Sequence, residues 1–111
     1  MLQIFGTKKC KNTEKAVRFF KERKIEFHWV DLVEKKMSEG ELKNISKILS
    51  LEDMLDKTGK EYKKKNLEYM EYDLFEEILS NPLLLKTPIV RLKNQASAGY
   101  EPEIWKEWFL R

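Results

Sequence analysis

Over the first thirty residues the hydrophobic period changes twice, and this change constrains the fold more than any other feature. Residues 2–5 form a short apolar run that predicts a buried strand, and residues 12–24 repeat apolar side chains at helical spacing. Residues 25–30 then alternate between two faces, which is typical of a second strand. A strand, a helix and another strand favour a βαβ unit with parallel strands and a right-handed crossover. The sequence therefore predicts an α/β fold.

The only cysteine, Cys10, stands between the first predicted strand and the helix. A thiol at a helix N-terminus meets unpaired backbone N–H groups and the positive end of the helix dipole, which both favour the thiolate. Lys8, Lys9 and Lys11 add positive charge around it. Cys10 is therefore the candidate nucleophile. The alternative interpretation is a small buried hydrophobe, because free cysteine is often buried for packing alone.

Two nearby features bear on this site. Asn12 or Thr13 is expected to cap the helix, which places Cys10 just ahead of the first turn or within it. His28 lies inside the second predicted strand, and it is interpreted as a partly buried strand residue, with a role as base for Cys10 as the alternative.

Length and composition restrict the remaining possibilities. The 111 residues fit one domain, 1–111, and 37% charged with 41% hydrophobic residues indicates a soluble, folded chain. No apolar run approaches the roughly 20 residues of a membrane span, and the apolar N-terminus is too short for a signal peptide, so a cytoplasmic location without a membrane partner is expected. The protein is expected to be a monomer.

A single cysteine and a single histidine exclude an internal disulfide and a Cys/His metal site. The net charge of +3, with basic and acidic residues interspersed, does not indicate direct binding to nucleic acid.

The middle third, residues 38–81, is predicted to be a helical insertion. Ser38 and Glu41 have the spacing of a capping box, and Ser50 with Asp53 is expected to cap a second short helix. The insertion ends with a break at residues 58–60, a lysine-rich stretch over residues 62–70 and a helix over residues 73–79.

The last third returns to strands. Residues 86–92 predict a strand entered through a proline, residues 93–95 a tight turn, and residues 96–99 a short partner strand, which together form a hairpin. A final helix is predicted over residues 102–110. Its large apolar side chains are expected to bury against the sheet: Ile104, Trp105, Trp108 and Phe109.

This order of elements is that of the thioredoxin fold with a helical insertion, in which a central mixed four-stranded sheet carries βαβ and ββα units. Six segments refine the comparison: residues 5–10, 15–18, 55–60, 81–82, 86–90 and 99–100. In these segments the chain resembles the arsenate reductase-related family, the ArsC/Spx group of glutaredoxin-like proteins.

The resemblance implies an active-site cysteine that faces a loop with a cis proline. Cys10 stands at the cysteine position and Thr87-Pro88 at the loop position. The surrounding residues would then bind the substrate or the incoming thiol: Lys8, Lys9, Lys11, Asn12, Thr87 and Pro88.

The departures from the family pattern bear on the substrate. Family arsenate reductases hold the oxyanion with three arginines, and the corresponding positions here carry Thr58, Thr87 and, at residues 99–101, no arginine. Threonine lacks the charge and the paired N–H donors of a guanidinium group. Arsenate reduction is therefore not expected unless another cation substitutes, for which the candidates are Lys57, Lys86 and Arg91.

Two functions follow from the resemblance. The first is a monothiol oxidoreductase without a bound cofactor, in which Cys10 forms a mixed disulfide that glutathione or another external thiol resolves. The alternative is a non-catalytic, Spx-like regulatory protein that binds RNA polymerase or another protein through the charged insertion, which contains Lys60 and residues 63–65. Thr13 stands where Spx-type regulators carry a second cysteine, so an internal disulfide switch is excluded.

Overall fold

The computed structural model describes residues 2–64 and 73–109. Four strands and six α-helices make up this part of the chain. In chain order they are β1 (Leu2–Gly6), α1 (Lys11–Glu22), β2 (Phe27–Asp31), α2 (Glu39–Ser46), α3 (Leu51–Met54), α4 (Lys60–Lys64), α5 (Leu74–Ser80), β3 (Ile89–Leu92), β4 (Gln95–Ala98) and α6 (Pro102–Trp108). A short 3₁₀ helix, Pro82–Leu84, precedes β3. Much of the predicted lysine-rich stretch, residues 65–70, lies outside the described residues.

The strands form one mixed sheet in the order β2-β1-β3-β4. β1 pairs in parallel with β2, as the βαβ pattern predicts, and antiparallel with β3, which pairs antiparallel with β4. The predicted α/β fold of thioredoxin type, with its mixed four-stranded sheet, is thereby confirmed. β2 and β4 are the edge strands, so each has a neighbour on one side only.

Each face of the sheet is covered by helices. Because side chains alternate along β1, Leu2 and Ile4 face α1 and α6, whereas Phe5 faces the helices of the middle segment. Val30 of β2 also packs on the second face, together with Leu42 of α2. The sheet is thus the middle layer of three.

An aromatic cluster joins α1 to α6. The ring centroid of Trp105 lies 5.3 Å from that of Phe19 and 5.0 Å from that of Phe20, and its indole N–H donates a 2.7 Å hydrogen bond to the buried Ser97 hydroxyl. Trp105 therefore packs in the core, as predicted. The prediction was wrong for Ile104 and Phe109, which are 41% and 40% exposed. α6 has only seven residues, and one of its sides faces solvent.

The helix starts agree with the sequence in part. Ser38 and Glu41 form both hydrogen bonds of the capping box, and the Ser50 hydroxyl accepts from the backbone N–H of Asp53. The prediction for α1 was wrong, because its N-cap residue is Cys10 and no side chain caps it. The sulfur is thus directly at the helix start.

No helix in the described ranges, 2–64 and 73–109, is long and apolar enough to cross a membrane.

Gly6 brings the end of β1 close to the first turn of α1. A Cβ atom at this position would lie 2.6 Å from both Cγ2 and Oγ1 of Thr13, well inside van der Waals contact. Thr13 itself is 2% exposed, so it has little room to move away. The missing side chain of Gly6 therefore allows the helix start to pack on the sheet.

Gly6→Ala should destabilise the fold by about 1–3 kcal/mol, because the added methyl group overpacks the contact with Thr13. Chemical denaturation measures the change. Gly40→Ala is the matched control, since nothing lies within 4 Å of a Cβ at that helical position. It should leave stability unchanged or raise it by up to about 1 kcal/mol. Equal stability of the two variants would contradict the packing role of Gly6.

Candidate active site

Cys10 is half-buried at the junction of β1, the following loop and α1. Its backbone N–H donates to the carbonyl of Thr7 at 3.3 Å, and its carbonyl accepts the first helical hydrogen bond, from Glu14, at 3.1 Å. These bonds hold the residue in an extended conformation with the helix beginning directly after it. The sulfur is accessible to solvent in part and remains close to the helix N-terminus.

The loop before β3 brings Thr87 to the sulfur from a position 77 residues away in the sequence. The Thr87 hydroxyl donates to Cys10 Sγ at 3.1 Å, and the thiol in turn lies 3.7 Å from the Thr87 carbonyl oxygen, which can accept its proton. The peptide bond between Thr87 and Pro88 is cis. The structure thus brings together Cys10 and the Thr87-Pro88 pair that sequence comparison placed at one site.

The first turn of α1 completes the surroundings of the sulfur. Burial of the Cys10 thiol raises its pKa, but hydrogen bonding by the hydroxyls of Thr13 and Thr87 and by the backbone N–H groups of Thr13 and Asn12 outweighs burial, so that the pKa lies below its ordinary value. Among residues 2–64 and 73–109, the Thr13 hydroxyl has no hydrogen-bond partner. Ionisation of Cys10 would supply the acceptor that this buried hydroxyl lacks. We therefore attribute its effect on the pKa to a bond made to the thiolate.

The other predicted site residues lie around this centre. Lys8, Lys9 and Lys11 are exposed, as is the side chain of Asn12, whose backbone N–H is the group directed at the sulfur. Pro88 is buried behind the loop. The lysines therefore add positive potential through solvent, whereas the hydroxyl and N–H groups act at short range.

The role of the Thr13 hydroxyl was not predicted from the sequence. Thr13 was expected to be a helix cap or the replacement for a second cysteine, and neither role uses a donor directed at the thiol. Its three-residue spacing from Cys10 was the available signal, since residues i and i+3 share one side of a helix.

His28 takes no part in the site. Its side chain is exposed, on the face of β2 opposite to Phe27 and Trp29, and no hydrogen bond joins it to Cys10 in the described part of the chain. Nor do residues 2–64 and 73–109 contain a group of three or more His, Cys, Asp or Glu residues arranged to hold a metal ion.

The positions that would carry oxyanion-binding arginines serve other contacts. The Thr58 hydroxyl is exposed and donates to Asp56 Oδ1 at 2.8 Å, while Thr87 donates to the sulfur. Gly99 donates its backbone N–H to the Pro88 carbonyl at 2.9 Å, and the stem of Lys86 packs beside it. The hydrogen bonds of Thr87 and Gly99 hold the loop around Pro88 beside the sulfur. None of these contacts supplies a guanidinium group.

Thr87→Val should raise the pKa of Cys10, because the variant loses a hydroxyl that donates to the sulfur. Alkylation by iodoacetamide follows the thiolate, so its rate should rise with pH along a curve displaced to higher pH. At neutral pH the rate should fall about threefold to fivefold, as expected for one hydrogen bond. Thr58→Val removes an exposed hydroxyl away from the sulfur and should leave the profile unchanged. Superimposable profiles for all three proteins would refute this role of Thr87.

Comparisons with known proteins bear on the family and the fold of the chain. A model of the ArsC family matches residues 5–108, whereas a comparison with curated proteins gave no significant match. An arsenate reductase from Vibrio cholerae superposes with a TM-score of 0.82 at 25% identity, covering 96% of this chain and 95% of the other. An ArsC family related protein from Bacteroides fragilis gives 0.85 at 22% identity, with the same coverage. A glutaredoxin from Archaeoglobus fulgidus gives 0.50 at 16% identity, covering 96% and 82%, and shares the fold alone. With the family model matched across nearly the whole chain, the protein belongs to the ArsC family.

Proposed function

We propose that this protein is a monothiol oxidoreductase that uses Cys10 as its nucleophile and an external thiol, such as glutathione, as its reductant. The observation that carries the proposal is the half-buried Cys10 sulfur, which accepts a 3.1 Å hydrogen bond from Thr87 beside the cis proline and faces the N–H groups of α1. Thiolates, not thiols, attack disulfides, so a lowered pKa increases the reactive fraction at neutral pH.

The proposed cycle balances with two thiol–disulfide exchanges. The Cys10 thiolate attacks the glutathionyl sulfur of a substrate mixed disulfide, forming a bond to that sulfur while the substrate leaves as a thiolate. A glutathione thiolate then attacks the same glutathionyl sulfur, releasing the Cys10 thiolate and oxidised glutathione. The net reaction consumes the mixed disulfide and one free glutathione thiolate, and it yields the substrate thiolate and oxidised glutathione. No second cysteine is needed, which agrees with the sequence.

Arsenate is not the substrate in this proposal. Thr58 and Thr87 occupy two of the three arginine positions, and each hydroxyl is already engaged, with Asp56 and with the sulfur respectively. A tetrahedral oxyanion needs charged, paired N–H donors that these residues lack. Glutathione, by contrast, needs a thiolate and a loop that presents backbone groups, and the lowered pKa of Cys10 beside the loop before Pro88 supports this choice.

Oxidised glutathione should convert the protein to a species carrying one glutathione per chain, measured by mass spectrometry. Reduced glutathione should reverse the modification, and Cys10→Ser should remain unmodified. The same protein unfolded in guanidinium supplies the rate of an unperturbed cysteine. If the folded protein is glutathionylated no faster than the unfolded one, the proposal is wrong, because the fold would then not increase the reactivity of Cys10.

A second candidate function is a non-catalytic interaction with RNA polymerase or another protein. It is supported by α4, which presents the exposed side chains of Lys60, Lys63 and Lys64 from the middle segment. This surface comes from a different part of the chain from Cys10. The two functions are therefore separable by mutation.

A pull-down with purified RNA polymerase tests this candidate. Retention should be lost when Lys63 and Lys64 are both replaced by Glu, and it should be unaffected by Cys10→Ser. Replacing Lys43 and Lys47 by Glu gives a control with the same change of charge at other exposed positions. Equal losses of retention in both double variants would indicate non-specific electrostatic attraction. If the wild type is not retained, RNA polymerase is not the partner.

A further inference from the structure

A groove of about 630 Å³ runs between α1 and the edge strand β2. Its apolar surface comes from Val17 of α1 and from Phe27 and Trp29 of β2, all of which are half-buried. The remaining lining residues are polar or charged: Thr7, Lys8, Thr13, Glu14, Arg18, Lys21 and Glu22. This volume suits a small molecule, since ligand pockets of about 300–1,000 Å³ are typical.

The groove exists because α1 does not cover the edge strand completely. The large side chains of α1, Phe19 and Phe20, pack on Trp105, and Phe20 also approaches Phe27 of β2, with ring centroids 6.5 Å apart. The rest of the α1 surface that faces Phe27 and Trp29 carries the smaller Val17. Two neighbouring aromatic side chains on one strand face, Phe27 and Trp29, are therefore left partly open to solvent, although their burial would be favourable by about 25 cal/mol per Å². A concave surface with apolar walls and a few polar groups is the usual form of a small-molecule site.

Thr13 connects the groove to the thiol. Its side chain lines the groove, is 2% exposed and carries a hydroxyl without a hydrogen-bond partner. The same hydroxyl belongs to the immediate surroundings of Cys10. Lys8, two residues before Cys10, lines the groove at this end as well. Cys10 is not itself a lining residue, so a molecule in the groove that reaches the sulfur would pass Lys8 and Thr13 and continue along α1.

The charges at the rim favour an anion. Three cations, Lys8, Arg18 and Lys21, stand against two carboxylates, Glu14 and Glu22. In the described part of the chain, none of the three cations lies within ion-pair distance of an acidic side chain. Arg18 is one helical turn beyond Glu14 and projects from the wall formed by Val17, so its guanidinium group is available to a carboxylate or sulfonate.

We propose that this groove binds the non-reacting portion of the substrate, a planar aromatic body that carries one anionic group and is attached to the sulfur that leaves as a thiolate when Cys10 attacks the disulfide. The aromatic body stacks on Phe27 and Trp29, and its anion pairs with Arg18. The proposal rests on the thiol chemistry assigned above in naming a disulfide as the substrate. Its binding part is testable without that chemistry.

Naphthalene-1-sulfonate is the probe for binding, titrated by NMR into the Cys10→Ser protein so that no covalent step occurs. Its shifts should map to α1 and β2, and Trp29→Ala should weaken binding at least tenfold. Val33→Ala, which shortens a side chain that is 70% exposed outside the groove, is the control and should bind as before. Because Trp29→Ala also removes core contacts, Val17→Glu serves as a second variant that places a negative charge in the groove without removing an aromatic ring.

The anionic part of the proposal is tested with a neutral analogue. Arg18→Gln should weaken naphthalene-1-sulfonate about fivefold and leave naphthalene-1-methanol unchanged, whereas Lys43→Gln should affect neither. Binding of the two probes with the same affinity in every variant would overturn the charge assignment. Shifts that map elsewhere, or no binding, would overturn the site itself.

The link to the thiol is tested by comparing two disulfides on the protein with Cys10 intact. With 5,5′-dithiobis(2-nitrobenzoate), the Cys10 thiolate forms a mixed disulfide and an aromatic thiolate leaves; hydroxyethyl disulfide reacts in the same way but has no aromatic or charged group. Trp29→Ala and Val17→Glu should lower the rate with 5,5′-dithiobis(2-nitrobenzoate) at least fivefold relative to the rate with hydroxyethyl disulfide. If this ratio of rates is unchanged in variants that no longer bind naphthalene-1-sulfonate, the groove takes no part in the reaction. An unreactive Cys10, with probe binding intact in Cys10→Ser, would instead refute the thiol chemistry and leave the groove as a binding site.

Discussion

The close contact between Gly6 and Thr13 is the constraint on which the site depends. The βαβ crossover brings α1 back over the sheet, but only a residue without a side chain at the end of β1 lets the first helical turn approach this closely. That approach buries Thr13, directs its hydroxyl into the thiol's surroundings and leaves Cys10 at the helix start. A wider separation would take the sulfur away from the Thr87 hydroxyl, whereas the donors of Asn12 and Thr13 belong to the same helix start and would move with Cys10.

Thr87 supports the thiolate and also changes the chemistry that the site can perform. At this position a guanidinium group would bring a permanent charge suited to an oxyanion, whereas a hydroxyl provides a single neutral donor to sulfur. The pKa of Cys10 is still lowered, because two hydroxyls and two backbone N–H groups act together against the cost of burial. These donors suit the thiol–disulfide exchange that we propose for the site, and none of them carries the permanent charge of a guanidinium group.

Several features could be predicted from the sequence because they rest on local patterns. The change of hydrophobic period predicts the βαβ unit, and the Ser38–Glu41 spacing predicts a helix start that the structure contains. Other predictions failed where packing decides. Cys10 took the N-cap position in place of Asn12 or Thr13, because Thr13 is drawn into the contact with Gly6. Ile104 and Phe109 remained exposed, because Trp105 already fills the space above the sheet.

The sequence by itself determined the order of strands and helices and the single thiol at a helix start, since both follow from residue type and spacing. The absence of arginine at the oxyanion positions follows from the resemblance to the ArsC family. The tertiary structure alone decided which groups meet. Thr87 reaches the sulfur across 77 positions, and Phe27 and Trp29 border an open groove because β2 is an edge strand that α1 covers incompletely. Such long-range contacts depend on how the layers pack, and neither periodicity nor capping patterns contain that information.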